Sequence, residues 1–252
     1  MIRFSYSRVS CFNSCPYQYC LRYIEKMKML PNQDANNALY LGSALHKALE
    51  LDAATAIKDY YGNYYCISDE HINETIKLEN LIPKCKKLLP TNGIHEVEIQ
   101  TPSFVGYIDL LVPVKDGLFD LYDYKYSNAV DRYMESPQLS IYKYYYEKTT
   151  GNKIRDMYFM FIPKVAIRQK KSENIYDFRK RLEKELSEVE PFLRKVTYNE
   201  NQVLEFKKDM LKIRSSTEFP KNISALCRFC EFESYCIKNQ TIDILEGNYE
   251  TT

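Results

Sequence analysis

The chain has 252 residues, and 35 Lys and Arg nearly balance 34 Asp and Glu for a formal net charge of +1. This length suits one elaborated domain better than two independent ones. The charge gives no argument for or against a polyanionic partner, so any basic groove has to be local. Met1 to Cys20 has no apolar stretch of signal-peptide character, and no run elsewhere is long enough to span a membrane, which predicts a soluble, cytoplasmic protein. In that reducing setting the eight cysteines read as free thiols and metal ligands, not as a disulfide framework. None of the seven glycines falls in a G-x-x-x-x-G-K-[ST] or G-x-G-x-x-G pattern, which argues against an ATP-driven motor.

Ser5 or Ser7 is placed to cap a helix through Val9 and Phe12 to about Cys15, where Pro16 limits it or opens another turn. From Leu39 to about Tyr61, apolar residues at Leu41, Leu45, Leu49, Ala53 and Ile57 recur every four positions and predict a helix that carries His46. From Ile94 to Ser127 the period becomes two and predicts three strands. The first holds Val97 and Ile99, the second runs from Phe104 to Val114, and the third, after a Lys115-Asp116-Gly117 turn, from Leu118 to Tyr126. Pro137 opens a helix through Tyr146 that closes near Gly151. The apolar run Ile154–Ile162 predicts a fourth strand buried on both faces. Two amphipathic helices, about Ser172 to Lys195 and Asn199 to Arg214, precede a cysteine-rich end.

Two carboxylates interrupt otherwise apolar strands, Asp109 in Gly106-Tyr107-Ile108-Asp109 and Asp123 in Leu121-Tyr122-Asp123-Tyr124-Lys125. A buried carboxylate without a partner costs several kcal/mol, so each calls for a cation, a metal or hydrogen-bond donors. Strand alternation points Asp123 and Lys125 to one face, roughly 7 Å apart, and turns Tyr124 away with its carbonyl free. A hairpin brings Asp109 beside Asp123, and paired carboxylates repel unless a divalent cation lies between them. A structural Asp–Lys salt bridge is the competing reading. At the chain ends, Cys227, Cys230 and Cys236 lack one ligand of a tetrahedral thiolate site for zinc or an iron–sulfur cluster. Cys15 is the best fourth ligand, with Cys11 and Cys20 as substitutes if the helix register differs.

The ordered set Gly42-x-x-x-His46, Gly106-x-x-Asp109, Asp123-Tyr124-Lys125 and Gln138-x-x-x-Tyr142 resembles the P-D-(D/E)-x-K nuclease superfamily in its RecB-like branch. With Cys15-Pro16-Tyr17-x-Tyr19 and the Cys227-x2-Cys230-x5-Cys236 tail, the chain resembles its iron–sulfur members: AddB-type recombination nucleases, CRISPR spacer-acquisition nucleases and phage exonucleases. The superfamily's usual proline before the first acidic residue is absent, but RecB-like members commonly have the glycine-led version seen here. The resemblance implies an α/β, restriction-endonuclease-like core, a mixed central sheet flanked by helices, with helical additions and a cysteine-ligated cluster joining the two ends.

In that reading His46, Asp109, Asp123 and the Tyr124 carbonyl ligate magnesium or manganese, and Lys125 orients the attacking water or neutralises charge on the phosphorane. Gln138 and Tyr142, one helical turn apart, hold Lys125 or the DNA backbone. Glu98, in the strand before Asp109, either serves a second metal or simply faces solvent. Gly42 lets another backbone approach near His46. One distant and three clustered cysteines resemble the 4Fe–4S arrangement more than paired zinc knuckles.

The implied organisation is a single nuclease domain. Residues 1–38 and 215–240 form an iron–sulfur cap, 39–165 the catalytic core, and 166–214 a helical segment. Candidate DNA contacts are Lys164, Arg168, Lys170, Lys171, Arg179, Lys180 and Arg181, and Tyr144, Tyr145 and Tyr146 are available for stacking or for the core. The expected activity is a metal-dependent DNA exonuclease acting on single-stranded or free ends in recombination, replication or repair, with a helicase or recombination protein as partner and no membrane. The alternative is a non-catalytic iron–sulfur or zinc-containing nucleic-acid-binding or scaffold subunit.

Overall fold

The period-two segments fold as expected into antiparallel strands β1 (Ile94–Gln100), β2 (Val105–Lys115) and β3 (Leu118–Tyr126). This is seen in a computed structural model that describes residues 3–30 and 32–237. Gly117, at φ +66°, makes the turn between β2 and β3, a conformation that favours glycine. Strand β4 (Lys153–Ile162) lies parallel to β3. Strand β5 (Phe192–Val196) closes the sheet antiparallel to β4, in the order β1-β2-β3-β4-β5.

The helices, in chain order, are α1 (Tyr6–Ser14), α2 (Pro16–Tyr19), continued by a π-helical turn at Cys20–Ile24, α3 (Ala38–Glu50), α4 (Ala53–Tyr61), α5 (Asp69–Leu88), α6 (Val130–Met134), α7 (Gln138–Thr150), α8 (Ile175–Glu188), α9 (Glu200–Ser215) and α10 (Glu233–Cys236). A 3₁₀ turn spans Ala225–Phe229. Ser5 caps α1 by accepting the Arg8 N–H. Cys15, in extended backbone, separates α1 from α2, which has Pro16 at its start, where a missing N–H costs nothing. Helices α6 and α7 supply the crossover that parallel strands β3 and β4 require.

Each face of the sheet is covered. Leu110 and Val112 of β2, Tyr122 and Tyr124 of β3, and Met160 and Ile162 of β4 pack with α3, α4, α5 and α8. Ile108, Leu111, Leu121, Phe159 and Phe161 pack with α1, α7 and α9 on the other side. The stripe Leu41, Leu45 and Leu49 docks α3 on the first face, each buried leucine contributing about 1.5–3 kcal/mol. The result is the mixed α/β architecture that the resemblance implies.

Three segments differ from the sequence reading. The helix expected over Leu39–Tyr61 is two helices, because the Asp52 carboxylate accepts the Thr55 N–H and starts α4 afresh. Helix α5 was not anticipated. Its start carries a reciprocal cap between Ser68 and His71, and Pro83 sits inside it. The helix expected to run to Lys195 stops at Glu188 and is followed by β5, whose pairing with β4 outweighs its weak alternation. The segment 166–214 therefore contributes a strand as well as helices. Residues 1, 2, 31 and 238–240 of the expected cap lie outside the described residues.

Candidate active site

The β2–β3 ladder is paired as far as Leu110 opposite Tyr122, so Asp109 and Asp123 occupy the next positions on the two strands. There the Asp109 side chain takes over the work of the ladder, its Oδ2 accepting the Tyr124 N–H at 2.6 Å. Its Oδ1 lies 3.3 Å from His46 Nδ1. The other ring nitrogen, Nε2, is 3.3 Å from the Tyr124 carbonyl oxygen. Helix α3 thus delivers His46 to the splayed strand ends. Burial opposes charge on this imidazole, but Asp109, with Asp123 beyond it, prevails and raises its pKa to about 9.

Glu96 of β1 completes a cluster. One ligand atom from each of His46, Glu96 and Asp109 lies within 4.8 Å of the others, the one such group among the described residues. The β1–β2 register sets Glu96 opposite Asp109. Its backbone is left-handed, at φ +51°, a conformation that strains a residue with a Cβ. Burial and the Asp109 charge push its carboxyl pKa up. For Glu98 the sequence leaves two readings open, a second metal or a solvent-facing position, and the structure agrees with the second. Glu98 is exposed and accepts the Tyr107 hydroxyl at 3.2 Å. Alternation puts Glu96 and Glu98 on one strand face, and only the register with β2 separates them.

Asp123 and Lys125 share a face, as alternation requires. The Lys125 ammonium forms an ion pair with Asp123 Oδ2, the carboxylate being buried and the lysine half-buried. Burial raises the Asp123 pKa and Asp109 raises it further, against the pull of Lys125. For Lys125 burial is again the largest single effect and opposes its charge, but Asp123 more than restores it. Gln138, at the first turn of α7, bridges the pair. Its Nε2 donates to Asp123 Oδ1 at 2.7 Å and its Oε1 accepts from Lys125 at 3.0 Å. The same Nε2 lies 3.3 Å from the Tyr142 hydroxyl. Ser136 Oγ accepts the Gln138 N–H and contacts the Tyr6 hydroxyl at 2.9 Å, so α1 braces this turn.

The two motif glycines behave differently. A Cβ at Gly106 would sit 3.0 Å from the rings of both Phe104 and Tyr142, so the bare strand is what lets Tyr142 approach. At Gly42 a Cβ would meet nothing within 4 Å. The expected close backbone contact is absent there, because α3 turns that position toward open space.

At the opposite end of α1, one apolar pocket is lined by Cys15, Cys227, Cys230 and Cys236 together with Leu21, Leu226, Phe232 and Ile237. Cys15 Sγ accepts the Asn222 N–H at 3.4 Å, and Cys227 Sγ the Ser224 N–H at 3.4 Å. Burial raises the Cys230 pKa while the Phe232 N–H lowers it. Cys11 is buried in the core, with a pKa pushed up to about 11 by desolvation. Cys20 donates to Glu25. Neither lines the pocket, which leaves Cys15 as the N-terminal member.

The basic residues divide. Arg179 is held by Asn73 and Asp69, and Arg181 by Glu173, so both brace α8. Lys180 lies over the Tyr176 ring at 4.4 Å. Lys164 and Arg168 line a cavity of about 860 Å³ shared with Asp34, Glu70, Glu74 and Lys77, a lining of mixed sign. Lys170 and Lys171 are exposed. Tyr145 and Tyr146 are core residues, whereas Tyr144 is half-buried under the Lys207 ammonium.

Residues 3–237 match the family described as the PD-(D/E)XK nuclease superfamily. A crystal structure of a phage-related exonuclease from Haemophilus somnus 129PT aligns with a TM-score of 0.36 at 9% identity, over 75% of this chain and 94% of that one. No curated protein matches the chain.

Proposed function

Because this chain belongs to the PD-(D/E)XK nuclease superfamily, we propose that it is a divalent-metal-dependent deoxyribonuclease that degrades DNA from its ends, with a preference for single strands, in recombination, replication or repair. The observation that carries the reading is the meeting of two units at the β2–β3 fork. One is the acceptor set around His46; the other is the Asp123–Lys125–Gln138 triad.

His46, Asp109, Asp123 and the Tyr124 carbonyl would hold magnesium or manganese, with Glu96 beside them. Their chemistry fits such an ion: oxygen donors dominate, and the cation would displace the proton that Asp109 and the Tyr124 carbonyl favour on His46. A bound divalent cation polarises a phosphodiester and lowers the pKa of water. Lys125, kept cationic by Asp123, is set to orient the attacking water or to offset charge developing on the phosphorus oxygens. Gln138 is a positioning residue, since its amide fixes the carboxylate and the ammonium relative to each other. Tyr142 supports Gln138.

For the thiol pocket we favour a 4Fe–4S cluster with a structural role, within a cap that joins the chain ends beside a core at 39–165. Backbone N–H groups aimed at the sulfurs suit a thiolate centre. A single zinc held by sulfurs at 2.3 Å needs sulfur–sulfur separations of about 3.8 Å. Among the described residues no three of these thiols lie within 4.8 Å of one another, so the preference for the cluster rests on the spacing of the four cysteines in the sequence and on their shared pocket. DNA is the expected partner, with a helicase or recombination protein alongside. No helix among the described residues is long and apolar enough to cross a membrane.

The test is an end-labelled single-stranded oligonucleotide incubated with pure protein, with and without manganese. Progressive shortening that needs manganese and falls by about 100-fold or more in Asp109→Ala and Lys125→Ala is expected. Intact DNA with the wild type, or cleavage indifferent to both substitutions, contradicts the proposal.

A further inference from the structure

We propose that the solvent-facing stripe of α3, from His46 back through Ser43 and Gly42 to Leu39, is the bed on which the substrate strand lies. In this view Gly42 is bare so that the sugar–phosphate backbone can rest directly against the helix. The inference builds on the nuclease reading above and names the surface that reading leaves undefined.

The stripe follows from helical spacing. Positions 39, 42, 43 and 46 lie on one face, opposite the buried Leu41, Ala44, Leu45 and Ala48. Leu39 is 75% exposed, Ser43 is exposed, and Gly42 and His46 are half-buried. A glycine inside a helix weakens it relative to alanine, so its presence calls for a reason. The two ordinary reasons are missing. Gly42 does not have a positive φ, and a Cβ there would touch nothing within 4 Å. Gly106, by contrast, is required by the rings packed against it.

What Gly42 provides is the space before it. That space adjoins His46, one turn further along α3, whose ring reaches Asp109 and the Tyr124 carbonyl. Through His46 the stripe leads to the residues that the nuclease reading assigns to cutting a phosphodiester. A nucleic-acid strand suits the stripe. Leu39 offers an apolar surface to a deoxyribose or a base face, Ser43 offers a hydroxyl to a phosphate oxygen, and none of the four residues carries a negative charge.

The experiment compares wild type with Gly42→Phe, Gly42→Ala and Leu39→Glu. It measures binding of fluorescein-labelled single-stranded oligothymidylate in calcium, cleavage of the same oligonucleotide in manganese, manganese affinity by calorimetry, and melting temperature. Gly42→Ala should melt about 2–4 °C higher, showing that the helix itself does not need glycine. Gly42→Phe should retain its manganese affinity but bind the oligonucleotide about tenfold more weakly, the scale of one lost base contact. Cleavage at subsaturating DNA should fall in step. Leu39→Glu should weaken binding about fivefold or more. Unchanged oligonucleotide affinity in Gly42→Phe overturns the proposal, as does loss of manganese affinity in parallel with DNA, which would put the effect at the metal centre. If Gly42→Phe does not fold, Leu39→Glu decides, and wild-type affinity there overturns it. A wild type that binds the oligonucleotide without cutting it refutes the nuclease reading, while the binding comparison still judges the bed.

Discussion

Replacing Lys125 with Met removes the cation from Asp123, whose side chain is only 2% exposed. Gln138 still donates one hydrogen bond to that carboxylate and His46 still opposes some of the negative charge, but the Asp109 carboxylate stays nearby. Breaking a buried pair by removing one partner costs about 3–5 kcal/mol. Protonation of Asp123 caps that loss. Taking up a proton from solution costs about 1.4 kcal/mol per pH unit above the carboxyl's ordinary value, which is 3.8 for Asp. The ceiling is therefore about 5 kcal/mol at pH 7.5 and about 1.6 kcal/mol at pH 5. The sign follows from the direction of the shift: a carboxyl whose folded pKa is raised destabilises the fold as pH rises above its unfolded value. Urea unfolding of metal-free protein should show Lys125→Met weaker than wild type by about 3–5 kcal/mol at pH 7.5, and by less than about 2 kcal/mol at pH 5. Adding Asp123→Asn should recover most of the loss at pH 7.5 while leaving cleavage abolished. Equal deficits at the two pH values, or a deficit under about 0.5 kcal/mol at pH 7.5, would refute the buried-pair argument.

Gly106→Ala pushes a methyl into the rings of Phe104 and Tyr142 and should cost about 1–3 kcal/mol in urea unfolding; a neutral effect would show that Tyr142 does not depend on the bare strand. Glu96→Gly should relieve the left-handed backbone at φ +51°, raising stability by about 1 kcal/mol, yet weaken manganese binding in calorimetry. Stability gained with no loss of affinity would remove Glu96 from the metal site. Protein purified without oxygen should be brown, and Cys230→Ser colourless and less stable. A colourless wild type carrying one zinc would replace the cluster with a zinc site.

Much of this arrangement is legible in the sequence because its signals are local. Alternation alone assigns Asp123 and Lys125 to one face, and the four-residue spacing of Leu41, Leu45 and Leu49 fixes which side of α3 meets the sheet. The helix opened by Pro137 places Gln138 within reach of both members of the ion pair. What the sequence hides depends on pairing between distant segments. Glu96 and Glu98 are equivalent until the register with β2 is known. β5 resembles the end of an amphipathic helix until β4 is there to pair with it. The Asp52 cap is masked in the sequence because the apolar stripe continues across it at Ala53 and Ile57. Nothing in the sequence distinguishes Gly42 from a glycine that admits a neighbour, whereas its surroundings are empty.

In the proposed site one divalent cation would sit between Asp109 and Asp123, within reach of His46 and the Tyr124 carbonyl, with Lys125 beside it. Crystals soaked in manganese and measured for anomalous scattering test this directly. The account predicts a single strong peak enclosed by these four groups, lost in Asp109→Ala. A peak elsewhere, or none at saturating manganese, would contradict it.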